Sequence, residues 1–334
     1  MMMLIIGNVR YSVSMKKIVP FLLATARLIR LPNILIIILT QFLLRYGILK
    51  TFLFPGNGSM MSGLLDFSLL VLTTILIAIG GYIINDYFDI RIDHINRPDK
   101  LVIDKLVSSR TAIVIHLIIT TIGVLVGFFL AFHLQSISFG FIFPSIAMLL
   151  WLYSARYKKS LLWGNLIVAF LTALVILILW LFEFLHLRLD PANFSAVLSN
   201  FKSVNQFFIA YGLFAFLTTL FREIIKDVED LDGDKEYLCK TIPLTIGIRK
   251  TKYIIAAFIL VTILLLIYGQ IVVYRMDMTI VFWYLLFVVQ IPFIFLIYKL
   301  WGAHDKEDYH YLSNLSKLIM LAGILSMQLI AISI

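Results

Sequence analysis

The chain is poor in charge and in cysteine, and each shortage excludes a class of protein. Only 14% of its 334 residues are charged and 61% are hydrophobic, whereas soluble chains have about 25% charged and about 45–50% apolar residues. A soluble domain of this length could not hide so much apolar side chain from water. The single cysteine, Cys239, excludes a scaffold held by internal disulfides. These shortages together predict an integral membrane protein.

Long apolar runs are abundant, and they define the predicted architecture. A helix that crosses a bilayer needs roughly 20 mostly apolar residues. Strand-like alternation is absent from these runs, so we predict an all-α polytopic protein with one bundle of about nine transmembrane helices. A segment 1–19 precedes the single domain 20–334. The predicted spans are 20–48, 66–86, 110–133, 137–153, 161–186, 205–226, 252–274, 279–300 and 311–334.

The basic residues indicate how the bundle is oriented. Of the 28 Lys and Arg residues, 23 fall on the side that holds the N-terminus and the loops after the even-numbered spans. The positive-inside rule places that side in the cytoplasm, and nine spans then place the C-terminus outside. Met15, which precedes Lys16 and Lys17, is an alternative start to Met1. The five basic residues on the other side are Arg45, Lys50, Arg188, Lys202 and Arg275.

Of the 19 acidic residues, 12 lie in two segments after the second and sixth spans, where we predict cytoplasmic loops 87–109 and 227–251. Each segment places carboxylates at i, i+3 and i+7, which stacks them on one face of a helix. Like charges in that arrangement repel each other, and a bound divalent cation would relieve the repulsion. Two such clusters on one membrane face predict a clamp for a diphosphate. The carboxylates are Asp86, Asp89 and Asp93, and Asp227, Asp230 and Asp234.

With these motifs the chain resembles the UbiA superfamily of intramembrane prenyltransferases. The family's NDxxDxxxD motif matches from Asn85 to Asp93, and its DxxDxxxD motif matches from Asp227 to Asp234. An Arg-Leu-Pro-Asn stretch ends at Asn33, and a tyrosine-serine pair at Tyr153 precedes Lys158, as the family often shows. The resemblance also implies nine helices around a central cavity.

The resemblance implies a reaction as well. It is the Mg²⁺-dependent transfer of a prenyl group from an isoprenyl diphosphate donor to a lipophilic acceptor within the membrane lipid, without nucleic acid. Two Mg²⁺ ions would be held by Asp86, Asp89, Asp227 and Asp230, with Lys158 as a further catalytic residue. Aromatic rings at Tyr87, Phe88, Tyr153 and Phe221 could face an allylic cation. The remaining predicted substrate-binding residues are Asn33, Asn85, Arg91, Asp93, Tyr153, Arg222 and Asp234.

The acceptor is less well defined by the sequence. Residues 222–230 look most like the branch that prenylates geranylgeranylglyceryl phosphate, but the Pro-Ser-Gly turn common after the first motif is missing from 101–105. An aromatic acceptor of quinone or menaquinone synthesis is the alternative. A secondary transporter is a third hypothesis, since acidic residues at a membrane edge also mark ion pathways. Both clusters lying at one face argue against it.

Four further polar residues lie within the predicted spans. Asn165 and Glu223 face either the cavity or a neighbouring helix. Glu183 and His186 fall at the far end of the fifth span, where we predict an interfacial position.

Overall fold

A computed structural model describes residues 24–54, 62–96, 98 and 101–333. The predicted N-terminal segment 1–19, with the alternative start at Met15, lies outside these residues. Within them, nine helices are long and apolar enough to cross a membrane, which confirms the predicted all-α polytopic fold. The helices are α1 (Leu31–Leu53), α2 (Leu64–Asn96), α3 (Ser109–His133), α4 (Ile137–Ala155), α5 (Trp163–Leu187), α6 (Pro191–Glu229), α7 (Ile248–Arg275), α8 (Thr279–Gly302) and α9 (Lys306–Ser333).

The two acidic motifs are not in loops of the predicted extent. Helix α2 continues ten residues past the predicted end of its span, to Asn96, so the whole first motif is helical rather than part of a loop 87–109. A helix need not end where its apolar stretch ends, because its backbone hydrogen bonds continue through polar residues.

The second motif, unlike the first, is not contained in one helix, so its carboxylates do not lie on one helix face. Helix α6 ends at Glu229, and Asp230 has φ −96° and ψ 14°. A short helix, Leu231–Glu236, then carries Asp234. The predicted stacking of three carboxylates over two turns is therefore wrong for this motif, since the backbone turns inside it.

Close packing and an apolar outer surface are what a lipid environment requires of this bundle. Helices α3 and α4 form a hairpin through Gln135, whose φ is +49°. At Gly127 of α3, a Cβ atom would lie 2.3 Å from the ring of Phe143 in α4, so the two helices approach at a distance only glycine allows. Large side chains such as Leu117 and Phe132 are exposed on the outside of α3, where they would meet lipid rather than water.

A buried ion pair lies at the end of the bundle opposite the motifs. Arg45, in a π-helical segment of α1, lies 3.1 Å from Glu183 of α5, and their side chains are 2% and 4% exposed. Ser62 donates a 2.6 Å hydrogen bond from its hydroxyl to Glu183 and accepts one of 2.6 Å at its carbonyl from Arg45. The Arg45 guanidinium also lies 4.3 Å above the ring of Phe67. The Glu183 carboxylate therefore lies inside the bundle beside a cation, and its position at the membrane interface stays a prediction.

We expect Arg45→Met to destabilise the fold by about 3–5 kcal/mol, because it leaves the Glu183 carboxylate buried without its cation. Thermal unfolding in detergent measures the loss. Arg275→Met, which removes an exposed arginine at the end of α7, is the control and should unfold as the wild type does. The double variant Arg45→Met/Glu183→Leu should regain most of the stability. An Arg45→Met variant as stable as the wild type would contradict this account.

Candidate active site

A cavity of about 540 Å³ lies within the bundle, between α1, α2, α4, α5, α6 and α9. Its deeper part is lined by apolar side chains, among them Ile77, Val175 and Ile324. Nearly all of its charged side chains gather at one end, where both acidic motifs are found. The cavity thus combines a charged end with an apolar interior, as a ligand with an anionic head and an apolar tail would require.

Three residues of the first motif line the cavity from α2, namely Asn85, Asp89 and Asp93. Their spacing of four residues keeps them on one helix face. Asn85 Nδ2 donates a 2.7 Å hydrogen bond to Asp89 Oδ2, and Lys158 Nζ donates to the same oxygen. Burial by itself would lower the pKa of Lys158, but Asp89 outweighs it and holds the pKa above its ordinary value. Lys158 therefore carries a full positive charge beside the motif.

Asp86 and Arg91 are the predicted site residues that the structure places outside the cavity lining. Asp86 Oδ1 accepts a 2.7 Å hydrogen bond from Arg30, whose guanidinium lies 4.9 Å above the ring of Tyr82. Arg91 is exposed on the far side of α2. Asp86 is thus occupied in positioning a cation, and the face that meets the cavity is the one bearing Asp89 and Asp93.

All three carboxylates of the second motif line the same cavity. Asn165 of α5 donates a 2.7 Å hydrogen bond from Nδ2 to Asp227 Oδ2. The end of α6 at Glu229 and the short helix after it bring Asp230 and Asp234 to the same end of the cavity. We call Asp89, Asp93, Asp227, Asp230 and Asp234 the carboxylate set.

Asn96 ties the ends of the two motifs together. Its Oδ1 accepts a 3.0 Å hydrogen bond from the Gly233 amide, and its Nδ2 donates one of 3.2 Å to the Asp230 carbonyl. A Cβ atom at Gly233 would lie 2.5 Å from Asn96 Nδ2, so the contact requires glycine there. Asn96 is not recognisable as a site residue from the sequence, since nothing local reveals a partner 137 positions away.

Basic residues occupy another part of the charged end. Glu223 accepts from Lys226 at 2.8 Å and lies 3.1 Å from Arg222, so it joins two cations of α6. Lys317 of α9 donates a 2.8 Å hydrogen bond to Asn33 Oδ1 in α1. All of these side chains line the cavity. In the sequence, Lys226 and Lys317 indicate only topology, and Glu223 faces either the cavity or a neighbouring helix.

The aromatic lining differs from the predicted one. Tyr153 faces the cavity as predicted, and Tyr82 joins it, whereas Tyr87, Phe88 and Phe221 are not part of the lining. Phe221 is fully buried and packs at 5.9 Å on Phe293, away from the cavity. Proximity in the sequence to a motif was the only signal for these rings, and it does not specify which helix face they occupy.

The donor chemistry of the carboxylate set fits Mg²⁺ bound together with a phosphate ligand. Mg²⁺ prefers oxygen donors, keeps several waters, and is usually held by one or two carboxylates and substrate phosphates rather than by a protein cage. Among the described residues, no three acidic, histidine or cysteine side chains converge to hold an ion by themselves. Asn85 Oδ1 is a buried oxygen that has no hydrogen-bond partner among the residues that the structure describes. It therefore remains available to a ligand.

The chain matches a known protein family over most of its length. The sequence model of the UbiA prenyltransferase family matches residues 53–318. The digeranylgeranylglyceryl phosphate synthase of Methanosphaera stadtmanae is 30% identical over 253 residues, which are 75% of this chain and 83% of that protein.

Solved structures are similar to this fold over nearly its full length. A structure from work on digeranylgeranylglyceryl phosphate synthase in membranes has a TM-score of 0.59 at 24% identity, covering 94% of this chain and 99% of that one. A UbiA homolog from Archaeoglobus fulgidus bound to GPP and Mg²⁺ has a TM-score of 0.51 at 17% identity, covering 91% and 99%.

Proposed function

The chain belongs to the UbiA prenyltransferase family, and on that premise we propose that it transfers a prenyl group from an isoprenyl diphosphate to a geranylgeranylglyceryl-phosphate-like lipid. The observation that carries the proposal is the carboxylate set, which lies beside Lys158 at the charged end of an otherwise apolar cavity. The apolar interior would hold the prenyl tail, and the charged end would hold the diphosphate. The relatives' name supports this acceptor.

The carboxylate set would bind the diphosphate through Mg²⁺. We propose two ions, one beside Asp89 and Asp93 on α2 and one held by carboxylates of the second motif, with water and the diphosphate completing each coordination shell. The GPP and Mg²⁺ bound by the Archaeoglobus homolog support the use of Mg²⁺ with a prenyl diphosphate. When bound, Mg²⁺ supplies positive charge that neutralises the leaving diphosphate.

Other residues of the cavity would act on the leaving group and on the allylic carbon. The donor's carbon–oxygen bond breaks with its electron pair on the diphosphate, where the Lys158 ammonium stabilises the new charge. Tyr82 and Tyr153 line the cavity, and their rings would stabilise the resulting carbocation. Apolar residues such as Ile77 and Val175 keep water from capturing it. The acceptor hydroxyl oxygen then forms the new bond to carbon, and its proton passes to an oxygen of the departing diphosphate.

We place the charged end of the cavity on the cytoplasmic side, on the strength of the Lys and Arg asymmetry. The N-terminus would lie on the same side and the C-terminus on the other. Single cysteines introduced at exposed positions of a Cys239→Ser variant, such as Lys235 near the second motif and Arg275 at the other end, would be labelled from opposite sides by an impermeant thiol reagent. Labelling from the reverse sides would invert the orientation.

The activity is tested with purified protein, Mg²⁺, a labelled C20 diphosphate and a panel of acceptors. We expect diphosphate release and a prenylated glyceryl phosphate lipid, with loss of both on chelation by EDTA and recovery on addition of Mg²⁺. If product forms only with an aromatic acceptor, the acceptor is of the quinone type and not a glyceryl phosphate lipid. Flux of substrate into liposomes without diphosphate release would favour a transporter.

Asn96 is expected to matter although it is not a proposed ligand. Asn96→Ala removes the contact that positions Asp230 and Gly233 against α2, and outer partners of metal ligands typically contribute about 10–100-fold in metal affinity. We therefore expect the Mg²⁺ concentration for half-maximal activity to rise by about that factor. Asn314→Ala, at an exposed position of α9 outside the cavity lining, is the control. An unchanged Mg²⁺ titration for Asn96→Ala would show that the contact is not needed for metal binding.

A further inference from the structure

Four basic side chains line the cavity apart from Lys158 and Lys159, and they come from different helices than the first motif. Arg30 precedes α1, Arg222 and Lys226 lie on α6, and Lys317 lies on α9. We call these four residues the cationic set. Helices α1, α6 and α9 are packed neighbours, so the set forms a second charged region beside the carboxylate set.

The cationic set has more positive charge than its partners neutralise. Arg222 and Lys226 share the single carboxylate of Glu223, and Arg30 is paired with Asp86. Lys317 lies in the cavity wall with no carboxylate within ion-pair distance among the described residues, and its ammonium donates only to the neutral Asn33. Within ion-pair distance the four cations thus have two carboxylates, an excess of about two positive charges by formal counting, while Asp227 next to Lys226 belongs to the carboxylate set.

This excess needs a physical explanation. Partly burying an ammonium without an anion costs free energy, because the cavity wall does not replace the water that solvated it. Positive-inside topology does not require the charge to point into the cavity, since Lys299 serves topology equally well from an exposed position on α8. An anionic group of the ligand that enters the cavity would restore the balance.

The donor's diphosphate is not the best match for this region. Metal ions at the carboxylate set already account for the diphosphate in the proposed function. A phosphate monoester carries a charge of about −1.5 to −2 near neutral pH, which matches the excess of the cationic set. Two guanidinium groups offer forked donors for its oxygens, and two ammonium groups offer point charges.

We propose that Arg30, Arg222, Lys226 and Lys317 form a second anion site, which binds the phosphate monoester of the lipid acceptor and orients its hydroxyl toward the donor. The proposal rests on the proposed function, because it names the part of the acceptor that the cavity recognises. It makes the cationic set the determinant of a phosphorylated over a neutral acceptor.

The test compares Lys317→Gln with the wild type in two assays, using the phosphorylated lipid and the corresponding neutral alcohol. The first assay is direct binding of each lipid to the protein without donor, and the second is steady-state kinetics. We expect Lys317→Gln to raise the Kd and KM for the phosphorylated lipid by about 10- to 100-fold, since hydrogen bonds to charged groups are the stronger ones. The KM for the donor should stay within about twofold, and the neutral alcohol should bind both proteins equally weakly.

Two further variants keep the result interpretable. Lys317→Arg retains the charge and should restore most of the affinity, which a merely structural role would not predict. Lys299→Gln removes one exposed lysine from α8 and should leave both lipids' affinities unchanged.

Three outcomes would overturn the proposal. A rise confined to the donor KM would assign the cationic set to the diphosphate. Equal losses for the phosphorylated lipid and the alcohol would show that Lys317 only supports the fold, and an unchanged Kd would exclude it from binding. Because binding is measured without turnover, Lys317-dependent capture of the phosphorylated lipid by a protein that transfers no prenyl group would contradict the proposed function and retain the site.

Discussion

Asp89→Ala and Asp227→Ala should each lower the rate of diphosphate release by at least about 10³-fold, because Lewis-acid stabilisation of a leaving group contributes several kcal/mol and each 1.4 kcal/mol is a factor of ten. Both carboxylates line the cavity, and both are oriented by an asparagine at 2.7 Å. The loss should appear in kcat at saturating donor. Excess Mg²⁺ should not restore it, since the ligand itself is missing.

Asp86→Ala is the informative comparison, because Asp86 belongs to the same motif but lies outside the cavity lining. Its ion pair with Arg30 joins side chains that are 24% and 37% exposed, and such pairs contribute only about 0–1 kcal/mol. We therefore expect the rate of diphosphate release to fall by less than about tenfold in Asp86→Ala. Equal losses in Asp86→Ala and Asp89→Ala would contradict the division of roles seen here. Full activity in Asp89→Ala or Asp227→Ala would exclude the clamp altogether.

Lys158→Met should lower kcat by about 10²–10³-fold, the usual cost of removing a preorganised group that stabilises developing negative charge. The flexible apolar side chain of methionine fills similar space, so the change removes the charge and little packing. Because the charge on the leaving group is largest in the transition state, kcat should fall more than the donor's KM rises. Single-turnover measurements of diphosphate release separate the two effects.

Arg156→Met is the matched control for Lys158→Met, since Arg156 is exposed, lies two residues away and does not line the cavity. It should keep wild-type kinetics. Lys158→Arg should recover part of the rate, because the charge remains while the geometry changes. If Lys158→Met kept more than half of the wild-type rate, Lys158 would be only a partner of Asp89.

The motif residues show what local sequence can predict. The pairing of NDxxDxxxD with DxxDxxxD is a local pattern, readable in short segments, and it indicated the family, the diphosphate chemistry and the end of the bundle where both motifs lie. The nine spans could also be predicted from the sequence, because a span must satisfy its backbone hydrogen bonds within itself and present apolar side chains to lipid.

The sequence could not predict which face of α2 meets the cavity. Residues at i+3 and i+4 lie almost equally close on a helix, so the spacing of Asp86, Asp89 and Asp93 could not show which of them faces inward. Packing of α2 in the bundle turns Asp89 and Asp93 into the cavity and leaves Asp86 to Arg30. In the second motif, the spacing predicted a continuous helix, but α6 ends before Asp230.

The sequence by itself determined the membrane-embedded helical class, the family and the acid-rich chemistry, because each depends on composition or on residues close together in the chain. Only the tertiary structure decided which of those acids share the cavity and which basic residues accompany them. Asn96 meets Gly233 across 137 positions, and Lys317 meets Asn33 across 284. Such contacts follow from how the helices pack against one another, and no pattern within a single segment encodes them. Most of the charged residues that line the cavity thus belong to a carboxylate set or a cationic set at its charged end.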